Sequence, residues 1–336
     1  MTEPGRPDVE APDIEGPEFE GPDIEVPEFE ASVIIPVRNG EAWIGDQLRA
    51  LAEQTFTGSW EVVIADNGST DGTRRVVREL APEIGVPVRI ADASGRAGIC
   101  HARNAGALAA RGRLLAFCDC DDRVSEQWLE AAVDASQDGE VVAGLNRELQ
   151  EPVQHPDAPA INPGGIIHGY QAILFIGCNF AVRRDAYFAL GGFDESLPPY
   201  GCDDSEFALR ANAAGCTFVG EEAMLVWFRT TTGLRRLVRK VYLSGKAETI
   251  MWHRHPERFG PRLGVKASTI ALLRTPWALR GGGLPDRRQR ARYLLTRVAH
   301  VVTELELLRG RHSREAWLVS ADDPPPGVEE VCGGAS

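Results

Sequence analysis

From Ser32 to Gly144 the hydrophobic positions alternate between two periods. Ser32–Val37 (SVIIPV) is a continuous apolar, β-rich run, and Glu41–Glu53 follows with Ile44, Leu48 and Leu51 at helical spacing. Trp60–Ala65 (WEVVIA) predicts a second strand, Asp71 opens a helix through Leu80, and Pro87–Ala91 predicts a third strand. Gly98–Ala110 is alanine-rich and helical, and Leu114–Cys118 (LLAFC) predicts a fourth strand. Ser125 is placed to cap a helix that runs to Ala135, with Glu126 in its first turn. Val141–Gly144 reads as a fifth strand. Strands alternating with helices predict βαβ units, hence an α/β fold with a mostly parallel central sheet flanked by helices. Ligands of such sheets bind outside the carboxyl ends of the strands, so the chemistry is to be sought there.

Beyond residue 228 the pattern changes. Leu234–Trp252 and Arg290–Leu308 read as helices, and residues 229–297 hold 17 Lys and Arg against three acids, Glu248, Glu257 and Asp286. A domain over 31–228 is therefore followed by a basic helical C-terminal extension over 229–320. The Pro- and Gly-rich stretch from Asp322 to Ser336 predicts a disordered tail over 321–336. At the other end, residues 1–30 repeat a five-residue unit: PDVEA, PDIEG, PEFEG, PDIEV, PEFE. Proline at every fifth position blocks helix, and one lone apolar residue per unit cannot build a core, so this segment predicts an extended, disordered tail. It serves either as a solubilising tail or as a docking strip for a basic surface. Its eleven acids against Arg6 account for −10 of the net charge of −13, leaving the remainder near balance. Seven cysteines without paired spacing fit reduced thiols in a cytosolic protein. Neither a signal peptide nor a transmembrane helix is expected, and no nucleic-acid partner.

Carboxylates gather at the strand ends. The second strand leads into Asp66-Asn67-Gly68-Ser69-Thr70-Asp71-Gly72-Thr73, a loop by composition. Asp71 or Thr70 has a plain use as a helix cap, whereas Asp66, where the strand leaves the sheet, is placed to accept a hydrogen bond from a ligand. The fourth strand leads into Cys118-Asp119-Cys120-Asp121-Asp122. Three carboxylates in four positions repel one another unless a cation joins them, and a divalent ion preferring hard oxygen ligands is the natural partner. On a strand, Asp119 and Asp121 would point the same way. A solvated acidic turn is the plainer alternative; Cys118 and Cys120 lack the second half of a zinc pattern. Further on, Phe180–Arg184 precedes Gly191-Gly192-Phe193-Asp194-Glu195, where paired glycines suit a tight turn. In Cys202-Asp203-Asp204-Ser205-Glu206-Phe207-Ala208-Leu209-Arg210 the acids precede a helix, so Asp203 or Asp204 either caps it or acts as a general base.

Taken together, these segments resemble family 2 glycosyltransferases, which are inverting and have the GT-A fold. SVIIPVRN (32–39), IADNGSTDGT (64–73), AGICHARNAGALAARGRLLAFCDCDD (97–122), NFAVRRDAYFALGGFDESL (179–197) and CDDSEFALR (202–210) stand in that family's order over roughly 31–255. Two positions depart from its commoner forms: Asp66-Asn67 replaces part of a double aspartate, and Asp203 stands where glutamate is usual. The resemblance implies a donor site at Pro36, Val37, Asn39, Asp66, Arg103 and Asp119, with Pro36 and Val37 lining the nucleotide base and Asp66 contacting it. It implies a D-x-D motif at Asp119-Cys120-Asp121, with Asp121 the direct ligand of Mn2+ or Mg2+ and Asp119 near the ribose or metal. Asp204 matches the catalytic base, and Gly191, Gly192, Phe193, Asp194 and Asp203 lie on the acceptor side.

The implied reaction moves a sugar from a nucleotide-sugar donor to an acceptor hydroxyl in one inverting displacement. Two rivals stand beside it. A sugar-phosphate nucleotidyltransferase would carry a Gly-rich phosphate loop after the first strand, where this chain has only Asn39-Gly40. A non-catalytic sugar- or membrane-binding scaffold would not need acids at all three loops. The acceptor is expected to be lipid-linked or a small-molecule glycan. A cytoplasmic location is expected, with peripheral contact on the inner membrane face through the basic extension as a hypothesis.

Overall fold

The computed structural model describes residues 27–150, 158–280, 287–313 and 315–333. Most of the acidic repeat, residues 1–26, lies outside the described residues. The chain runs β1 (Phe29–Val37), α1 (Ile44–Ala52), β2 (Trp60–Asp66), α2 (Thr73–Ile84), β3 (Val88–Asp92), α3 (Ile99–Ala109) and β4 (Gly112–Cys118). Then follow β5 (Arg123–Val124), α4 (Trp128–Ala135), β6 (Val141–Glu148), the short pair β7 (Ile167–Gly169) and β8 (Ala172–Leu174), and β9 (Asn179–Arg183). The order continues with α5 (Arg184–Ala189), α6 (Asp203–Ala213), β10 (Phe218–Phe228), α7 (Leu234–Arg254), α8 (Pro256–Phe259), α9 (Val265–Arg280), α10 (Arg287–Leu308) and β11 (Val328–Cys332).

One nine-stranded sheet has the order β11-β3-β2-β1-β4-β9-β6-β10-β5. The neighbours β3, β2, β1 and β4 are parallel, as the alternation of strand and helix predicts. β9 enters antiparallel between β4 and β6, and β10 returns parallel to β6. The central strands are buried on both faces, so β1 reads as an apolar run over Val33–Val37 instead of an alternating one. Its residues still divide by the period of two. Val33, Ile35 and Val37 pack with Leu48 and Leu51 of α1, Val77 and Ala81 of α2 and Trp128 and Leu129 of α4. Ile34 faces the other layer, with Ala107 of α3, Tyr187 and Phe188 of α5 and Phe207 and Ala208 of α6. That layer is filled by aromatic rings. Phe117 stacks on Phe180 at 4.6 Å between centroids, Phe175 on Phe180 at 4.4 Å, and Phe193 lies 5.1 Å from Phe207.

The amino ends of the strands are closed by a buried polar network. Arg89 donates to Glu61 from Nε (2.9 Å) and Nη2 (2.6 Å), and to the Ala109 carbonyl. Glu61 also accepts from the Ser32 hydroxyl and the Arg111 N–H.

Three expectations need correction. Phe29 and Glu30, expected in the disordered tail over 1–30, open β1, and Phe29 pairs with Gly112 of β4. Ser125 does not cap α4, whose N-cap is Gln127; Ser125 instead donates its N–H to the Leu225 carbonyl and so ties the loop to β10. The segment expected to be a disordered tail over 321–336 contains β11, which pairs antiparallel with β3 and covers that sheet edge. Glu329 pairs with Arg78 and Glu330 with Arg111, while Val331 and Cys332 pack on the core. Val-Glu-Glu-Val-Cys is short enough to be masked by the Pro/Gly-rich residues before it.

Candidate active site

At the carboxyl edge β1 delivers Pro36 and Val37, β2 delivers Asp66 and Asn67, and β4 delivers Asp119. The register that pairs Val37 with Asp66 and Ile34 with Phe117 keeps these ends level. Beside them opens a cleft of about 960 Å³. Pro36, Val37, Asn67, Asp119 and Asp121 line it from the sheet, Asp203 and Asp204 from α6, and Arg236, Arg239 and Lys240 from α7.

Arg103 on α3 organises the acids. It is only 3% exposed. Its Nη1 donates to Asp203, its Nη2 donates to Asp119 at 3.2 Å, and its guanidinium lies 5.1 Å from the centroid of the Phe193 ring. One delocalised cation thus joins the acid after β4 to the acid that opens α6, a bridging that suits a planar fork of donors. The guanidinium passes so near Gly177 that a Cβ there would sit 2.9 Å from Nη1.

The acids after β4 do not behave as strand neighbours. β4 ends at Cys118 and residues 120–121 form a turn, so carboxylates three apart converge in place of those two apart. Asp119, Asp122 and Cys178 each offer one ligand atom, all within 4.8 Å of one another. Asp122 is 1% exposed; its Oδ1 accepts the Arg229 N–H at 2.8 Å, while its Oδ2 is buried without a hydrogen-bond donor. Burial, with Asp119 and Asp121 adding repulsion, pushes the Asp122 carboxyl well above the usual range. Burial also pushes Asp119 up to about 6, against the pull of Arg103 and with the push of Asp121 and Asp203. An orphaned buried carboxylate oxygen beside a second carboxylate is a fitting place for a divalent cation. Asp121, the expected direct ligand, lies outside that group of three; it lines the cleft, and its carbonyl accepts from Arg229 Nε at 3.0 Å.

Asp204 also lines the cleft. Its Oδ1 accepts the Ser205 N–H at 2.7 Å and its Oδ2 the Gly177 N–H at 3.2 Å. Burial, then the neighbouring Asp203, pushes it up to about 6. The cap reading fails for both acids, since the N-cap of α6 is Cys202, at φ 56°, with no side-chain cap. Asp71 does act as a plain structural acid, accepting the Thr73 N–H at the start of α2 and the Glu41 N–H.

Several expected site residues lie outside the cleft lining. Asp66 is buried and its carboxylate holds the Ser69 N–H and the Arg74 Nε, so that Asn67 reaches the cleft instead. Asn39 accepts the Thr70 N–H at 2.8 Å and fastens one loop to the other. Gly191 and Gly192 adopt φ of 79° and 59° and run against Leu318 and Val319 of the C-terminal segment. Phe193 belongs to the aromatic layer under Arg103. Asp194 is buried and accepts from Arg254 Nε (3.1 Å), the Trp317 N–H (2.9 Å) and the Ser196 N–H (2.8 Å). The turn is therefore a structural clasp between α7 and the C-terminal segment. Asp194→Ala should lower stability by about 3–5 kcal/mol, because it strands the buried Arg254 cation. Urea unfolding would measure this, and ligand affinity of the remaining folded protein should match the parent. A parental midpoint would return Asp194 to the acceptor side.

Sequence reasoning missed Asn67, Gly177 and Cys178, and gave Asp122 no role of its own. Asp122 had a visible signal as the last acid of its cluster, and Asn67 one as part of the Asp66-Asn67 departure from the double aspartate. The others reach the cleft through β9 and through a loop pairing that no periodicity marks.

Residues 32–192 match the family model of glycosyl transferase family 2, and residues 168–229 match one described as the N-terminal domain of galactosyltransferase. Glycosyltransferase AglE of Haloferax volcanii is 30% identical over 66% of this chain and 73% of its own length. Chondroitin synthase of Escherichia coli is 22% identical over 73% of this chain, which spans only 41% of that enzyme. Among solved structures, the mannosyltransferase PcManGT from Pyrobaculum calidifontis, in complex with GDP-Man and Mn2+, superposes with a TM-score of 0.59 at 19% identity, covering 84% of this chain and 88% of that one. That last likeness is one of fold.

Proposed function

Because the chain belongs to glycosyl transferase family 2 and has the GT-A fold, we propose that it transfers a glycosyl group from a nucleoside-diphosphate sugar to an acceptor hydroxyl, with inversion, using Asp204 as base. The observation that carries the reading is the bridge through Arg103, which fixes the acids after β4 and the acids of α6 on one cleft. Pro36, Val37 and Asn67 form the wall for the nucleotide. Asp204, raised toward neutrality and reaching the cleft from a helix start, accepts the proton of the acceptor hydroxyl. Asp203 is tied by Arg103 and so is set to orient instead of to take the proton. A single displacement by that hydroxyl at the anomeric carbon inverts it.

Asp119 and Asp122 would hold the divalent cation, Mn2+ or Mg2+, with Asp121 on the cleft wall beside them. Such a cation supplies charge neutralisation for a departing diphosphate. Lys240 and Arg239 add cationic side chains to the same cleft; Lys240, lowered by burial, lies close enough to Asp119 and Asp121 to feel their charge.

The test is thermal stabilisation by a panel of nucleotide sugars with Mn2+ or Mg2+, followed by product analysis. The proposal expects nucleoside diphosphate as product. Pyrophosphate would indicate nucleotidyl transfer, and the absence of any stabilisation or turnover would indicate a scaffold. Asp122→Asn should weaken metal-dependent donor binding by about tenfold or more, the scale for a lost interaction of a charged group. The same change should leave the metal-free melting temperature equal or higher, since it removes one of three neighbouring carboxylates. Titration calorimetry giving parental donor affinity in Mn2+ would remove Asp122 from the metal group.

A further inference from the structure

Helices α9 and α10 are built inside out for a water-facing surface. α10 packs on α7 so closely that a Cβ on Gly245 would lie 2.9 Å from the Ala299 Cβ. The face turned to α7 carries His300, Thr303 and Glu304, all buried, with His300 paired to Glu248 and Glu304 to His253. The helical period places Leu294, Val298 and Leu305 on the opposite side, and these are exposed, as is Leu308 at 69%. α9 repeats the pattern: Ser268 and Thr275, seven apart, are buried, while Ile270 is exposed and Leu273 is 74% exposed. The first turns of α7 add Leu234, 76% exposed, and Val238, which directly precedes the cleft-lining Arg239 and Lys240. α10 packs against both α7 and α9, so the three exposed sets belong to one helical group.

Between these apolar positions stand exposed Arg235, Lys266, Arg274, Arg288 and Arg292. Over residues 229–297 cations outnumber acids by 17 to three. Apolar side chains interspersed with Arg and Lys are the composition of a helix lying in the headgroup region of an anionic bilayer. A second copy of the chain would set cation against cation on such a face. Among the described residues no helix is long and apolar enough to cross a membrane, so contact would be made by the helix sides.

We propose that the outer faces of α9, α10 and the start of α7 dock on an anionic lipid bilayer. The inference does not depend on the reaction catalysed. The experiment is co-sedimentation of the full chain with phosphatidylcholine vesicles, with and without phosphatidylglycerol, at low and high salt. Binding should require phosphatidylglycerol and weaken with salt. Leu273→Glu combined with Leu294→Glu should lower partitioning by about tenfold or more, since both remove apolar contact and add charge facing an anionic surface. Both side chains are exposed, so the melting temperature should stay parental, separating loss of docking from loss of fold. Absence of binding to phosphatidylglycerol vesicles at low salt would overturn the proposal, as would equal binding by the double variant. A dimer abolished by the same substitutions, with no vesicle binding, would give the face to a second copy instead.

Discussion

Asp204→Asn should leave donor affinity within about twofold of the parent and cut transfer to the acceptor by about 100-fold or more, the scale for a lost general base. The amide oxygen can still accept one of the Gly177 and Ser205 N–H groups that now meet the two carboxylate oxygens, so the start of α6 loses only one of these contacts. What it cannot do is take a proton. The pH profile gives a second reading. Asp204 is raised to about 6 by burial and by Asp203, and only its ionised form is a base. The kcat/KM of the parent should therefore rise with pH through about 6 and level off above it. Residual transfer by the variant should lack that limb. Initial rates measured across that range with saturating donor would decide it, and parental turnover in the variant would move the base to another acid, Asp203 first.

The parts of this fold that the sequence made legible share one cause. β1, β2 and β4 are apolar runs with both faces buried, and the helices between them keep a plain apolar spacing. The acids at 66, 119 and 203–204 stand out because each interrupts an apolar pattern near the ligand edge. What was hidden depends on contacts far apart in sequence. Asn179–Arg183 is a strand only because β4 and β6 receive it on either side. The Gly191–Asp194 turn looks like a site by its residues, yet Asp194 is consumed by Arg254 and by the Trp317 N–H, over 100 residues away for the latter. Asp122 outranks Asp121 within the cluster of liganding groups because β4 stops at Cys118, before either acid of the assumed alternation.

Arg103→Met should destabilise the folded state by about 3–5 kcal/mol, the usual range when one partner of a buried ion pair is removed. Volume is roughly conserved, so the loss is electrostatic in origin. Asp119 and Asp203 would face each other across the space the guanidinium left, with Asp121 and Asp204 nearby. The pH dependence has a definite sign. Asp119 is raised to about 6 even with Arg103 present, and without that cation it moves higher. A carboxyl raised in the folded state costs stability as pH climbs from its unfolded value, about 4, through its folded value. The deficit of the variant should thus be smaller at pH 5 than at pH 8, and urea melts at the two values would show it. Arg103→Lys should rescue little, because a point charge on a flexible stem cannot present two fixed donors to two separate carboxylates. Equal deficits at both pH values would mean that the guanidinium matters for its packing on Phe193 and not for the acids it joins.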